Sequence, residues 1–142
     1  MDELYSLGFL INRASFSLAK ALRIELGKQN IDLPHSQFVV LRCIYYRDGM
    51  SQHDIATLLC KDAAAIKRTI DNLEEKGLVC REQVSQRQNS VHITEKGMEV
   101  IPVAIKHAES AVDKVLDSID EQDVKLLHAL WNQIYMNAEK IE

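Results

Sequence analysis

A chain of 142 residues, 46% apolar and 27% charged, with two prolines and five glycines, fits a helix-rich globular domain able to build a core. Its formal net charge of −4 argues against a uniformly basic nucleic-acid binder. Cys43, Cys60 and Cys80, with no C-x-x-C spacing, suit a reducing compartment better than a disulfide scaffold. No apolar run approaches the roughly 18 residues of a membrane span, and the opening MDELYSLGFL carries acids where a secretory signal carries Lys or Arg, so a cytoplasmic protein is expected.

The first helix is expected from Asp2 to about Lys28, where Leu7, Ile11, Ala14, Leu18, Ala21, Leu22 and Leu26 recur in steps that draw one apolar stripe. After a break at Asn30–Leu33, Pro34 suits the first position of a second helix, because its missing N–H would lack a partner there anyway. Phe38, Leu41, Ile44 and Tyr45 form that helix's inner face, and Asp48-Gly49 stops it. Ser51 followed by Asp54 reads as the start of a third, short helix with Ile55, Leu58 and Leu59 inward. Asp62 caps a fourth, and Gly77 with Leu78 ends it.

Two short strands are expected near Leu78–Gln83 and Val91–Ile93, joined by the polar loop Val84–Ser90. Thr94 then opens a long helix to about Ser118, with a kink expected at Pro102, and Asp120 caps a last one. Ile101, Ile105, Ala108, Val112, Val115 and Ile119 step by fours and threes, as do Val124, Leu127, Trp131, Ile134, Ala138 and Ile141. Both are seams of packed helices, and pattern alone leaves intrachain packing and a subunit interface open.

Short helix, turn, longer helix and hairpin define a winged helix-turn-helix, whose second helix enters the DNA major groove. The fold class is therefore mainly α, an α+β winged helix of six helices and a two-stranded wing. Residues 34–97 would form the reading region, with 1–33 and 98–142 as a helical dimerisation region. Seven basic and seven acidic residues balance between Ser51 and Gly97, whereas four basic and nine acidic residues follow from Met98 onward, so the acidity sits away from the reading face.

On the fourth helix Ile66, Ile70 and Leu73 make the buried stripe, which turns Ala64 and Arg68 outward, flanked by Ala63, Ala65, Lys67 and Asn72. Arg68 can fork onto a guanine edge or a phosphate, and the small alanines let the backbone approach the bases. Arg87 is the sole charge in its loop and suits a narrow minor groove, with Gln88 able to bond phosphates. Ser51 and Gln52, opening the third helix, complete the expected contact set. The bland readings are a solvated helix face for Lys67 and Arg68 and a soluble turn for Arg87.

The run Ser51-Gln52, Ile55-Ala56, Leu58-Leu59, Lys61-Asp62, Ile66-Lys67-Arg68, L-E-E-K-G-L-V-x-R over Leu73–Arg81 and T-E-K-G over Thr94–Gly97 resembles the MarR family of bacterial transcriptional regulators. That resemblance implies a homodimer clasped through its first and last two helices, a pseudo-palindromic double-stranded DNA operator, and most often repression. It also implies release by a small aromatic or phenolic ligand, a metal ion or an oxidant in many members; no cofactor is expected. Arg68 falls at the family's recognition-helix arginine and Arg87 at a wing arginine. The wing departs from the pattern, with Ser85 and Gln86 where an Asp and a further Arg are frequent, and Ala64 and Ala65 replace frequent hydroxyl residues.

The alternatives are a winged-helix protein-interaction module without DNA binding, favoured by the neutral reading region, and a thiol-based redox regulator, for which Cys60 beside Lys61 is the best-placed thiol. His35, His53, His92, His107 and His128 are scattered without metal-ligand spacing. No nucleophile–base pair or phosphate-cradling loop points to an enzyme.

Overall fold

Short-range capping chemistry sets where the helices begin in the computed structural model, which describes residues 6–141. Helix α1 spans Leu7–Lys28, α2 His35–Tyr46, α3 Gln52–Leu58 and α4 Ala63–Glu75; strands β1 Val79–Ser85 and β2 Gln88–Ile93 follow, then α5 Glu95–Leu116 and α6 Glu121–Ala138. The Ser51 hydroxyl accepts the Asp54 N–H at 3.0 Å, and the Thr94 hydroxyl accepts that of Gly97 at 3.1 Å. Asp62 accepts from Ala64 at 3.3 Å. Each satisfies a first-turn N–H that has no helical partner. At the end of α4, Gly77 takes φ +75°, and the Leu78 N–H reaches back to the Leu73 carbonyl at 3.0 Å. This is the glycine-dependent stop that the sequence announces.

The core forms around α2. Phe38, Leu41 and Ile44 meet Ile55 of α3, the Ile66, Ile70 and Leu73 stripe of α4, Val79 and Val91 of the hairpin, and Ile101 and Ala104 of α5. Helix α1 lies along α5 and adds Leu22 and Leu26. The hairpin is antiparallel, with Val79 opposite Ile93 and Gln83 opposite Asn89, and its register slips by one residue between Gln83 and Ser85. Residues 49–51 pair with β2 on its other edge: the Gly49 N–H reaches the Val91 carbonyl at 2.9 Å, and the Val91 N–H reaches that of Met50 at 2.8 Å. The wing is thus anchored to the α2–α3 connection.

Several boundaries differ from the sequence reading. Residues 2–5 of the expected first helix lie outside the described residues, and the helix opens at Leu7 behind Ser6, whose hydroxyl faces the Phe9 N–H at 3.4 Å. Pro34 is the N-cap of α2 rather than its first residue. The seven-residue polar loop is instead two strands closed by Gln86-Arg87, because backbone ladder bonds hold polar residues that carry no apolar alternation. Asp120 occupies the N-cap position of α6, yet its side chain makes no capping bond. Helix α5 continues through an exposed Pro102.

The two seams resolve differently. Ile101, Ile105 and Ala108 are buried within the chain, whereas Val115 and Ile119 are exposed. Among the described residues of α6 none is buried; Leu127, Leu130, Trp131, Ile134 and Tyr135 all face solvent in the single chain. The expected stripe of α1 likewise buries only Leu22 and Leu26, leaving Leu7 and Leu18 uncovered, and Phe16 beside it is exposed too. Among the described residues no helix is long and apolar enough to cross a membrane.

Candidate nucleic-acid interface

The face opposite the α4 stripe carries Ala63, Ala64, Lys67, Arg68 and Asn72, all exposed. Ala65 turns partly inward, toward a cleft it shares with α1 and α2, so it does not flank the outer face as expected. The hairpin tip folds toward the N-terminal ends of α3 and α4. Gln52 and His53, Ala63, and Arg87, Gln88 and Asn89 line one cleft of roughly 230 Å³. Five of the ten residues expected to contact DNA (Ser51, Gln52, Ala63, Arg87 and Gln88) line this one concavity. Arg68, Lys67, Ala64 and Asn72 stand on the adjoining helix face. Ser51 is a buried member: its hydroxyl caps α3 and its backbone pairs with Ser90, so its work is to join α3 to the wing.

The charges on this face are in different states. Lys67 pairs with Asp71 at 3.0 Å, one turn on. Among the described residues no ion pair holds Arg68 or Arg87, which leaves both guanidinium groups free for an external anion. His53 and Asn89 join the cleft without having been singled out in the sequence; only the folding of the tip against α3 reveals them.

A residue quoted in the sequence only as part of a motif organises the site. Arg81 of β1, largely buried, donates through Nη2 to Asp71 at 2.6 Å, through Nη1 to Glu74 at 3.2 Å and through Nε to the Gln52 side-chain oxygen at 2.5 Å. Its own N–H bonds Glu74 at 3.1 Å. One planar fork therefore ties the wing to both helices of the reading head, a geometry a lysine cannot reproduce. Asp71 is held below its ordinary pKa by the hydrogen bond from Lys67 and then by that from Arg81. Arg81→Ala is expected to leave helix content unchanged by circular dichroism while weakening duplex binding about tenfold, and Arg81→Lys to restore little of it. Equal affinity of wild type and Arg81→Ala in a fluorescence-anisotropy titration would deny this coupling.

Cys60 sits in the turn between α3 and α4 with φ +52°, a left-handed conformation uncommon outside glycine and asparagine. Its thiol lies 3.5 Å from the Glu139 carboxylate, and that hydrogen bond pushes the thiol pKa up. Burial raises Cys43 as well. A reactive sensor thiol needs the opposite shift. Among the described residues no cluster of three or more His, Cys, Asp or Glu could hold a metal ion.

Two helices joined by a tight turn, with an arginine-bearing hairpin folded beside the second, define the winged helix-turn-helix class. The sequence model of the MarR family matches residues 33–86. The HTH-type transcriptional regulator YdgJ of Bacillus subtilis is 28% identical over 112 residues, covering 78% of this chain and 68% of that protein. A crystal structure of MarR superposes with a TM-score of 0.86 at 29% identity, covering 99% of this chain and 96% of the other. A MarR-family regulator from Listeria monocytogenes, solved in complex with 26mer DNA, gives a TM-score of 0.83 at 25% identity over 93% of this chain and 88% of that one. Residues 33–86 thus match the MarR-family model, the fold is the winged helix of solved MarR structures, and the relatives the chain matches are named as transcriptional regulators.

Proposed function

We propose that this chain is a sequence-specific regulator that binds a pseudo-palindromic duplex as a homodimer and acts as a repressor. The observation that carries the reading is the convergence on one exposed face of the α4 outer surface, with Arg68 unpaired, and of the Arg87–Gln88 wing tip. Two copies of α4 would enter successive major grooves about one helical turn (roughly 34–36 Å) apart, with Arg68 at base edges or phosphates. Arg87 would reach the neighbouring minor groove, and Gln52, Lys67, Asn72 and Gln88 would fix register on the backbone. The complex of the Listeria relative with 26mer DNA supports duplex binding. The uncovered apolar faces of α1, distal α5 and α6 support dimerisation through residues 1–33 and 98–142, with residues 34–97 as the reading region.

A second element of the reading is release by a small aromatic or phenolic ligand. A cavity of roughly 390 Å³ lies between α1, α2 and α5, at the junction of the two regions. Leu18, Leu22, Phe38 and Val112 make its apolar wall, while Arg42, Arg47 and His35 supply polar groups, and the Arg42 guanidinium lies 5.8 Å from the Tyr46 ring centre. An apolar cavity with a few converging polar groups is the usual form of a small-ligand site. A ligand there would change the spacing of the two reading heads by favouring one member of an existing population.

Fragments selected from the source genome by binding would supply the operator. Against that operator, Arg68→Ala combined with Arg87→Ala is expected to lose at least about 30-fold in affinity, since each guanidinium contact of this type contributes about 1–3 kcal/mol. Wild-type affinity should also fall steeply between 50 and 200 mM salt in proportion to the phosphates contacted. Full specific binding by the double variant would remove both residues from the interface. Absence of duplex binding by the wild type would favour the protein-interaction alternative.

A further inference from the structure

His92 of β2 stands where the base of the wing meets the α2–α3 connection. Its Nδ1 lies 2.9 Å from Oδ2 of Asp48, and the other oxygen of that carboxylate accepts the Ile93 N–H at 2.8 Å. Its Nε2 lies 2.9 Å from the Ser90 hydroxyl and 3.4 Å from the Glu82 carboxylate on β1. Gly49 closes over the ring: a Cβ at this position would come 3.3 Å from Cε1, and the backbone there has φ +86°. The imidazole, about a third exposed, is therefore clamped from three directions.

The hydrogen-bond pattern has two complete settings. With a neutral ring, Nδ1–H donates to Asp48 and Nε2 accepts from the Ser90 hydroxyl. With a protonated ring, Nε2–H also donates, and the Ser90 hydroxyl is left to turn toward the Glu82 carbonyl, 3.4 Å away. Both settings keep Asp48, but only the second places a cation between the carboxylates of Asp48 and Glu82. These are the charged groups that face the ring from the α2–α3 connection and from β1, and Cys80 is its register partner on β1. Desolvation pushes Asp48 upward, yet the hydrogen bonds from His92 and from the Ile93 N–H prevail and hold it below the ordinary carboxylate value. A depressed carboxyl keeps its stabilising effect above its unfolded pKa and loses it only as pH falls through the folded value. Asp48 is thus charged throughout the range of about pH 5.5–8 in which a histidine switches.

We infer that His92 is a positioning residue for the wing, a proton-controlled pin that holds the hairpin more firmly against the reading head when the imidazole is charged. Its consequence for DNA rests on the DNA-binding reading above: a firmer wing costs less to order on the duplex, so affinity rises as His92 gains its proton.

The free protein tests the pin without any duplex. Between pH 8 and pH 6 the protection factor of the Ile93 amide should rise at least about threefold. His92→Asn keeps a donor near the Nδ1 position but cannot take a second proton, so this rise should vanish; Glu82→Gln, which removes one of the two carboxylates, should reduce it. In duplex titrations over the same range, wild type should gain at least about threefold more affinity than His92→Asn. Ile93 protection that is flat in wild type, or equally pH-dependent in both substituted proteins, overturns the pin. Ile93 protection that rises in the free protein while no duplex binds at any pH leaves the pin standing and defeats the DNA reading instead.

Discussion

Substituting Leu127 and Trp131 of α6 by aspartate should yield a folded monomer of 16.2 kDa that has lost at least about 100-fold in operator affinity. Neither side chain packs into the core of its own chain; they are 39% and 40% exposed, and the whole of α6 is without a buried residue. Aspartate at these positions therefore opens no intrachain cavity and should leave helix content and the unfolding of the reading region nearly unchanged. In the proposed dimer the same two positions lie within an apolar seam, where an unpaired carboxylate is strongly unfavourable. Two half-sites then bind independently, and the gain from holding two reading heads on one scaffold is lost. Sedimentation velocity at micromolar concentration gives the mass, and anisotropy titration gives the affinity. A variant that remained dimeric, or a wild type already monomeric, would remove α6 from the interface.

Gly97→Ala should lower stability by about 3 kcal/mol, a fall in melting temperature of roughly 6–12 °C for a domain of this size. Gly97 lies in the first turn of α5, where the helix passes the α4–β1 connection and the end of β2. A Cβ there would run into the Leu78 carbonyl oxygen and come within 2.6 Å of Cγ1 of Ile93. The backbone carbonyl cannot swing aside, because the Thr94 N–H bonds it at 3.1 Å and the Thr94 hydroxyl holds the neighbouring Gly77 carbonyl at 2.6 Å. Relief requires the start of α5 to lift from the hairpin. Gly27→Ala provides the control: it is also helical, nothing lies within 4 Å of its added methyl, and it should be neutral or stabilise by about 0.5–1 kcal/mol. Thermal denaturation of both variants decides the matter, and equal melting temperatures would contradict the crowding at Gly97.

Legibility in the sequence followed the range of the interaction responsible. The α4 stripe, the caps at Ser51, Asp62 and Thr94 and the stop at Gly77 depend on residues within one helical turn, and they stand where the sequence places them. The full length of the hairpin did not show. Glu82–Ser85 and Gln88–Asn89 are polar apart from an exposed Val84, and the ladder that orders them is made of backbone groups. Arg81 was visible only as a letter in a motif, since its partners Gln52, Asp71 and Glu74 lie 29, 10 and 7 residues away and meet it only after folding. Ser51 read as an outward cap because nothing local announces its pairing with Ser90. The seams of α5 and α6 had one periodicity and two outcomes, for a repeat of threes and fours marks an apolar face without saying whose surface covers it.

Helix α2 has an unusual double duty. Its outer side, through Arg42, Cys43 and Tyr46, is a wall of the cavity between α1, α2 and α5, while its inner side, through Leu41 and Ile44, is the keel on which α3, α4 and the hairpin rest. A tightly interlocked interior does not absorb displacement locally. In the proposed ligand-responsive regulator, a guest pushing this wall by an ångström would tilt the reading head as a single body, and the lever arm out to Arg87 would magnify the push.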